Sequence, residues 1–423
     1  MPELPDPADL RPLPKSLDPL EGEALSGYLR RLGFRLGLQP SQVVVRTGLS
    51  ERQPNGKFTW RIPGSRAFAL DNGRREVFAH TTRLSLEEVD GLLLVSLQHR
   101  YGPLSPRYLI RTIPGRLRYN NPWVLTDRVQ YCPQCLAGDG SQIQDLYGGP
   151  WLRNWHLPPI FLCLQHQRLL RRQCHVCGEL PHAANWQTLL ARPRDETLHP
   201  TQCRGSGPVV NLRGNRPACG ADLTKVAPGL DALPADSRSR NALISLQERF
   251  LSLLAPEGPE QVGSVGWLVP TAQYFMDLKA VAAMILMSWP EARPHAPSQA
   301  LAKVIDLEAG HRHEQFLELR EAPRSRARIF TTPPDDSLTT AAILTIADKF
   351  LQARDEVEAA TYLRPLVDEA AAINHAVSYP LRRQVGTSFP LQVVLGGHRQ
   401  ALGQATQEEV IERHSDSLSR APQ

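Results

Sequence analysis

The chain has 423 residues, a net charge of +5, 22% charged and 6% aromatic residues, 37 prolines and seven cysteines. That length can bury a sizeable core without covalent staples and accommodates two to four domains. So many prolines argue against one large uninterrupted sheet. The longest apolar run, around residues 281–287, is too short to span a membrane.

Residues 1–19 are rich in proline and acidic residues and lack the charged-then-apolar pattern of a signal peptide. The expected setting is therefore reducing and cytoplasmic. Leu25, Leu29, Leu32 and Leu36 repeat at the spacing of one helical face, with Arg30, Arg31 and Arg35 on the other side. Gly37 and Pro40 are expected to stop this helix, and Ser41 to cap a second short one through residues 43–47. Two helices around a glycine-containing break outline a helix-turn-helix, in which Gln42, Arg46 and Thr47 would reach base edges. Gly33 weakens the first helix by about 1 kcal/mol relative to alanine. Residues 51–75 read as a loop or hairpin. Ser85 and Glu88 form a capping box that opens a helix through residues 92–97, a second candidate for the reading pair. Prolines 103, 106, 114 and 122 then break up a segment in which tyrosines alternate with arginines such as Arg107 and Arg111. Such interleaving serves nucleic acid or wedges a linker against a core.

All seven cysteines fall within residues 132–219, as Cys132-x2-Cys135, Cys163-x2-His166, Cys174-x2-Cys177, Cys203 and Cys219. A C-x2-C places two sulfurs on one tight turn, where a single metal can take both. With His166 these cysteines make eight soft donors, enough for two tetrahedral zinc sites. An odd cysteine count and a reducing setting argue against disulfides. Read in chain order, the sites are Cys132, Cys135, Cys163 and His166, then Cys174, Cys177, Cys203 and Cys219. A crossed pairing of the two C-x2-C units stays open, as does His199 in place of Cys219. Gly178 and Gly220 each follow a thiolate, where a knuckle turns sharply and aims N–H groups at sulfur.

Four protein donors leave no open coordination position, so both zincs are expected to be structural. No enzymatic pattern is complete. His313-Glu314 begins a zincin motif, but Leu317 stands where its second histidine belongs, and there is neither a phosphate-cradling loop nor a nucleophile elbow. Between residues 99 and 177 there are ten arginines, no lysine and three acids, a local excess larger than that of the whole chain. Arg107, Arg111, Arg168, Arg171 and Arg172 are thus candidates for phosphate contact, together with Arg30 and Arg31 from the first helix.

After Cys219 acidic, alanine-rich helical patterns dominate. Residues 241–254, 271–288, 300–319 and 339–363 read as helices, and 365–377 continues after a break. Residues 291–298 read as a turn, 391–395 as a short strand, 408–414 as a last helix and 415–423 as a frayed tail. The expected fold is mainly α with small zinc-ribbon or knuckle modules. Its domains are 1–125, helical and helix-turn-helix-like; 126–225, tandem zinc-binding; and 226–423, helical and DNA- or partner-binding.

The segment from Glu23 to Leu32, preceded by Arg11-Pro-Leu-Pro14, resembles the opening of the TniQ/TnsD family. Tyr131-Cys-Pro-Gln-Cys-Leu136, Trp155, Phe161-Leu-Cys-Leu-Gln-His166, Leu169 and Cys174-His-Val-Cys-Gly178 are similar to its ordered metal signature. The resemblance spans roughly residues 10–225. It implies a non-enzymatic DNA-binding adaptor that selects a target site for transposition and recruits an AAA+ ATPase regulator. The site would be recognised directly on double-stranded DNA or through an RNA-guided effector complex. It further implies a nucleoid-associated location, and a homodimer is an admissible assembly. The alternatives are a zinc-dependent helix-turn-helix transcriptional regulator without transposition partners, and a scaffold that binds only polypeptide.

Overall fold

A computed structural model of the chain describes residues 10–52, 58–59, 64–113, 116–119, 121–125, 129–181, 189–190, 198–207, 217–225, 229, 231–319 and 323–396. Among these it is mainly helical, and its strands pair as two-stranded antiparallel hairpins. The chain divides into two compact units. The first holds Met1–His99, Leu104–Leu251 and Asp335–Thr340; the second holds Arg100–Pro103, Ser252–Pro334 and Ala341–Gln423.

The first unit opens with α1 (Leu25–Leu36) and α2 (Pro40–Arg46). Leu25, Tyr28, Leu29 and Leu32 pack in one core with Val43, Val44, Phe78, Val89 and Leu92. Gly37 ends α1 in the left-handed conformation at φ 62°. Pro40 does not merely stop α1: it opens α2, where its missing N–H costs nothing. The cap of α2 is Gln39 rather than Ser41, in a reciprocal box with Gln42. A Cβ at Gly33 would lie 3.1 Å from the Leu38 carbonyl. The residue that weakens the helix therefore also lets the turn close against it. Thr47 is buried and donates to the Val43 carbonyl at 2.8 Å, facing the core instead of a base edge.

The hairpin of β1 (Glu51–Arg52) and β2 (Phe58–Thr59) precedes α3 (Asn72–Thr82) and α4 (Leu86–Gly91). The α3 helix begins inside the expected loop, because Asp71 caps it by accepting from Arg74 N at 3.0 Å. The Ser85–Glu88 capping box forms, but α4 is short and Leu94–Leu97 continue as a 3-10 turn. Residues 10–20 lie on this core, with Leu13 and Leu17 buried and Tyr28 donating to the Leu17 carbonyl at 2.9 Å.

Next come α5 (Pro106–Leu109) and the ribbon of β3 (Ile110–Ile113) and β4 (Arg116–Tyr119). The cysteine region contains α6 (Pro133–Ala137), α7 (Gln142–Tyr147) and the hairpin of β5 (Leu162–Cys163) and β6 (Arg168–Leu169). It is tied to the start of α1 by bonds from Ala24 N to Trp151 O at 2.7 Å and from Arg153 N to Gly22 O at 2.8 Å. Most of α8 (Ser237–Leu254) belongs to the same unit.

The second unit contains the hairpin of β7 (Gln261–Ser264) and β8 (Trp267–Pro270), then α9 (Thr271–Met287). These are followed by α10 (Gln299–Glu318), α11 (Pro323–Thr331), α12 (Ser337–Leu351), α13 (Glu356–Arg382) and α14 (Phe389–Val394). The first turn of α12 groups with the first unit. Nearly all of α9 is buried. At its middle Asp277 accepts from Ser264 Oγ at 2.7 Å and from Ser388 N at 2.6 Å, joining the hairpin and the start of α14 to one carboxylate.

The helix expected over 339–363 is two helices, because Asp355 caps α13 by accepting from Glu358 N at 2.8 Å. Pro365 falls inside α13, whose path deviates at Asn374 instead. Residues 391–395, expected as a strand, lie mostly in α14, which Ser388 caps. The helix and tail expected at 408–414 and 415–423 lie outside the described residues.

Candidate metal centres and nucleic-acid contacts

The first cluster gathers Cys132, Cys135, Cys163 and His166, with all four donor atoms within 4.8 Å of one another. Cys132 is the N-cap of α6, and Pro133 at the first helical position brings Cys135 back onto the same turn. The other two donors come from the β5–β6 hairpin. His166 Nδ1 lies 3.5 Å from Cys132 Sγ, 3.3 Å from Cys135 Sγ and 3.4 Å from Cys163 Sγ. The two knuckles converge because neighbours hold them. Gln247 Oε1 on α8 accepts from Phe161 N and Leu162 N, each at 2.8 Å. Gln130 Nε2 donates to Ile160 O at 2.9 Å, and Ser337 Oγ donates to Leu170 O at 2.6 Å. Trp151 and Trp155 pack edge-on against each other, 6.4 Å between centroids.

The second cluster gathers Cys174, Cys177, Cys203 and Cys219 under the same 4.8 Å limit. Cys174 Sγ lies 4.0 Å from Cys219 Sγ, and Cys177 Sγ lies 3.7 Å from Cys203 Sγ. The long gap from Cys203 to Cys219 closes because the flanking segments run antiparallel. Cys219 N donates to Gly205 O at 2.8 Å and Gly220 N to Cys203 O at 2.9 Å. Gly178 and Gly220 both adopt φ 69°, the left-handed turn expected after a knuckle thiolate. Their own N–H groups meet carbonyls, however. The bonds to sulfur come from Val176 N to Cys174 at 3.4 Å and from Gly205 N to Cys203 at 3.3 Å. His199 stays apart from the cluster, its Nδ1 2.7 Å from Thr201 Oγ1.

Donor chemistry and spacing both fit zinc. A tetrahedron with Zn–S near 2.3 Å and Zn–N near 2.0 Å separates its donors by roughly 3.5–3.8 Å. Six donor pairs lie 3.3–4.0 Å apart, and every pair in each cluster lies within 4.8 Å. Each cluster is a closed set of four protein donors, suited to a structural ion. In the first cluster hydrogen bonds with Cys132 and then Cys135 draw the Cys163 thiol well below its ordinary value.

The structure scatters the arginines. Arg30 and Arg31 are 1% and 0% exposed, so neither reaches a solvent-side phosphate. The reason is local: α1 is buried on all sides up to Gly33, and Arg31 Nη1 donates to Glu23 Oε2 at 2.7 Å. Burial pushes the Glu23 carboxyl up to about 7 against the pull of Arg31. Arg172 is likewise buried and faces Asp335 at 3.6 Å. Arg168 is half-buried and pairs with Asp231 at 3.2 Å, and Arg171 is half-buried with its backbone bonded to Tyr131. Gln42, Arg46 and Arg107 are exposed. Arg111 lies in β3, and its side chain is outside the described set. Sequence reasoning missed Gln247 and Ser337, because their partners lie far away in the chain and no local pattern marks them.

Among its described residues the protein is mainly helical and carries two closed four-donor clusters that could each hold a metal ion. Residues 14–170 match the family model described as TniQ. The match includes all four donors of the first cluster and stops before the second. The matched family is one of transposition-associated, DNA-binding adaptors. Neither the curated proteins nor the solved structures gave a match to this chain. Among the described residues no helix is long and apolar enough to cross a membrane.

Proposed function

We propose that this protein selects target sites for transposition by binding double-stranded DNA and recruiting an AAA+ ATPase regulator. Two structural zinc ions stiffen its middle, one on Cys132, Cys135, Cys163 and His166 and one on Cys174, Cys177, Cys203 and Cys219. Residues 1–125 read or grip the duplex, residues 126–225 form the metal scaffold, and residues 226–423 dock a partner. The partner is the ATPase or an RNA-guided effector complex. Gln42 and Arg46 on α2 face bases or phosphates, with Arg107, Arg111 and Arg171 adding charge. The reading places the protein in the cytoplasm on the nucleoid and is compatible with a homodimer.

The observation that carries this proposal is the assembly of two complete four-donor clusters, the first of them inside the TniQ-matched segment. A structural ion's binding energy is largely folding energy, so such clusters serve a rigid platform rather than turnover. Mapping chromosomal sites bound by the protein, with and without the ATPase, tests the reading. Bound sites should coincide with insertion sites and sharpen when the ATPase is present. Occupancy unrelated to insertion would end it and favour the transcriptional regulator.

A further inference from the structure

At Asn374 α13 leaves helical backbone, and the helix starts afresh. Asn374 Oδ1 accepts from Val377 N at 3.0 Å, as an N-cap does. Residues 375–382 are thus a short helix in their own right, joined to α14 by the turn of residues 383–388. Gly386, at φ 92°, supplies the left-handed conformation in that turn. The ends of the two helices are held by burial of Val377, Leu381, Leu391 and Leu395.

This pair repeats the outline of α1 and α2. Each runs through Leu-Arg-Arg, a turn with a left-handed glycine, and Pro-x-Gln-Val-Val. The first has Leu29-Arg30-Arg31, Gly37 and residues 40–44; the second has Leu381-Arg382-Arg383, Gly386 and residues 390–394. The glutamine reaches back to the turn in both. Gln42 Oε1 accepts from Gln39 N at 3.0 Å, and Gln392 Nε2 donates to Thr387 O at 2.8 Å.

The arginines differ between the two. Arg30 and Arg31 are buried, whereas Arg383 is exposed and Arg382 half-buried. His375 and Tyr379, each one turn apart on the face that leads to Arg383, are exposed as well. Residues 370–407 contain no aspartate or glutamate, so no acid of the segment offsets this charge. The carboxylate that meets the turn belongs to Asp277, which is fully buried and accepts from Ser388 N. A basic face of this kind attracts anions, and arginine's planar fork suits phosphate oxygens.

We propose that the end of α13 and α14 form a second helix pair, which grips the backbone of duplex DNA through Arg382 and Arg383. This rests on the DNA-binding reading above and gives residues 226–423 a duplex contact beside partner docking. Backbone fits better than base edges, because Gln392, the polar side chain of α14, is tied to the turn. A duplex fits better than a single strand, because the Tyr379 ring carries the Arg383 guanidinium 4.7 Å from its centroid, where a base would stack. Contacts to phosphate carry no base preference, so the pair contributes affinity and register rather than sequence choice.

The test uses the full chain with Arg382 and Arg383 changed to Gln singly and together. Binding to two unrelated DNA duplexes is measured across a salt series. Each phosphate contact adds about 0.9 to the slope of log affinity against log salt. Each single variant should therefore lower the slope by about 1 and the double variant by roughly 2, equally on both duplexes. Replacing both with Lys should retain most of the slope, since a point charge still meets phosphate. Melting temperature reports whether each variant folds, and the exposed Arg383→Gln carries the test if the others do not. Folded variants that keep the slope of a steeply salt-dependent parent overturn the second pair and leave the DNA-binding reading intact. A parent that binds no duplex overturns both. Loss confined to single-stranded DNA, with duplex affinity unchanged, overturns the choice of duplex.

Discussion

Arg31 donates to Glu23 at 2.7 Å, with both side chains shut off from solvent. The pair sits where α1 starts and where residues 22–24 run beside residues 151–153 of the cysteine region. Removing one partner of a buried pair leaves an uncompensated charge and costs about 3–5 kcal/mol. Glu23→Ala should lower stability by that amount in a denaturant titration. Adding Arg31→Met to it should recover part of the loss. A single-variant loss below about 1 kcal/mol would contradict the pair's structural role.

Asp277 predicts a pH dependence. Burial raises its carboxyl from 3.8 to about 6, against the hydrogen bonds from Ser388 and Ser264. The folded state thus keeps a proton that the unfolded chain releases, so this group's contribution falls as pH rises through the interval from about 4 to about 6. Asp277→Asn should flatten that interval. The readout is the difference in unfolding free energy between parent and variant from pH 4 to 7, since the metal ligands titrate alike in both. A difference that stays constant with pH would contradict the shift. Glu23, raised to about 7, acts with the same sign over a window reaching somewhat higher.

Gly149 lies against the first metal cluster. A Cβ there would come within 1.9 Å of the Cys135 carbonyl. Gly149→Ala should therefore displace Cys135 and empty the first site while leaving the second filled. Elemental assay should fall from two zinc ions per chain to one. Full occupancy in this variant would show that the knuckle tolerates the shift.

Exposed and buried arginines should separate cleanly. Arg46→Ala should weaken duplex binding several-fold at low salt while changing stability by less than about 0.5 kcal/mol. Arg172→Ala should instead destabilise the fold, because its guanidinium is buried beside Asp335. Electrophoretic shift and thermal melting on the same preparations distinguish the two, and equal effects on both properties would contradict the division.

Local signals in the sequence found the elements whose causes are local. The Leu25–Leu36 periodicity, the Ser85–Glu88 box and the C-x2-C turns all appear where the pattern placed them. Arg30 and Arg31 did not follow their pattern. A charge on the polar side of an isolated helix becomes a core residue once other segments cover that side, and no local rule announces the cover. The strand expected at 391–395 failed for a related reason: Ser388 and Pro390 are helix-start signals that outweigh a short apolar run. The chain-order grouping of donors is one of three readings of the sequence, and the antiparallel segments around Cys203 and Cys219 bring those thiols together. Gln247, holding the β5 end of the first knuckle from α8, was invisible because its role depends on tertiary packing.

The most direct measurement is the metal content of the intact, freshly purified chain, taken with its fold before and after a strong chelator. Two tightly held zinc ions per molecule, and loss of structure in the middle of the chain on their removal, are the predicted results. A fully folded protein that carries no transition metal would contradict the account.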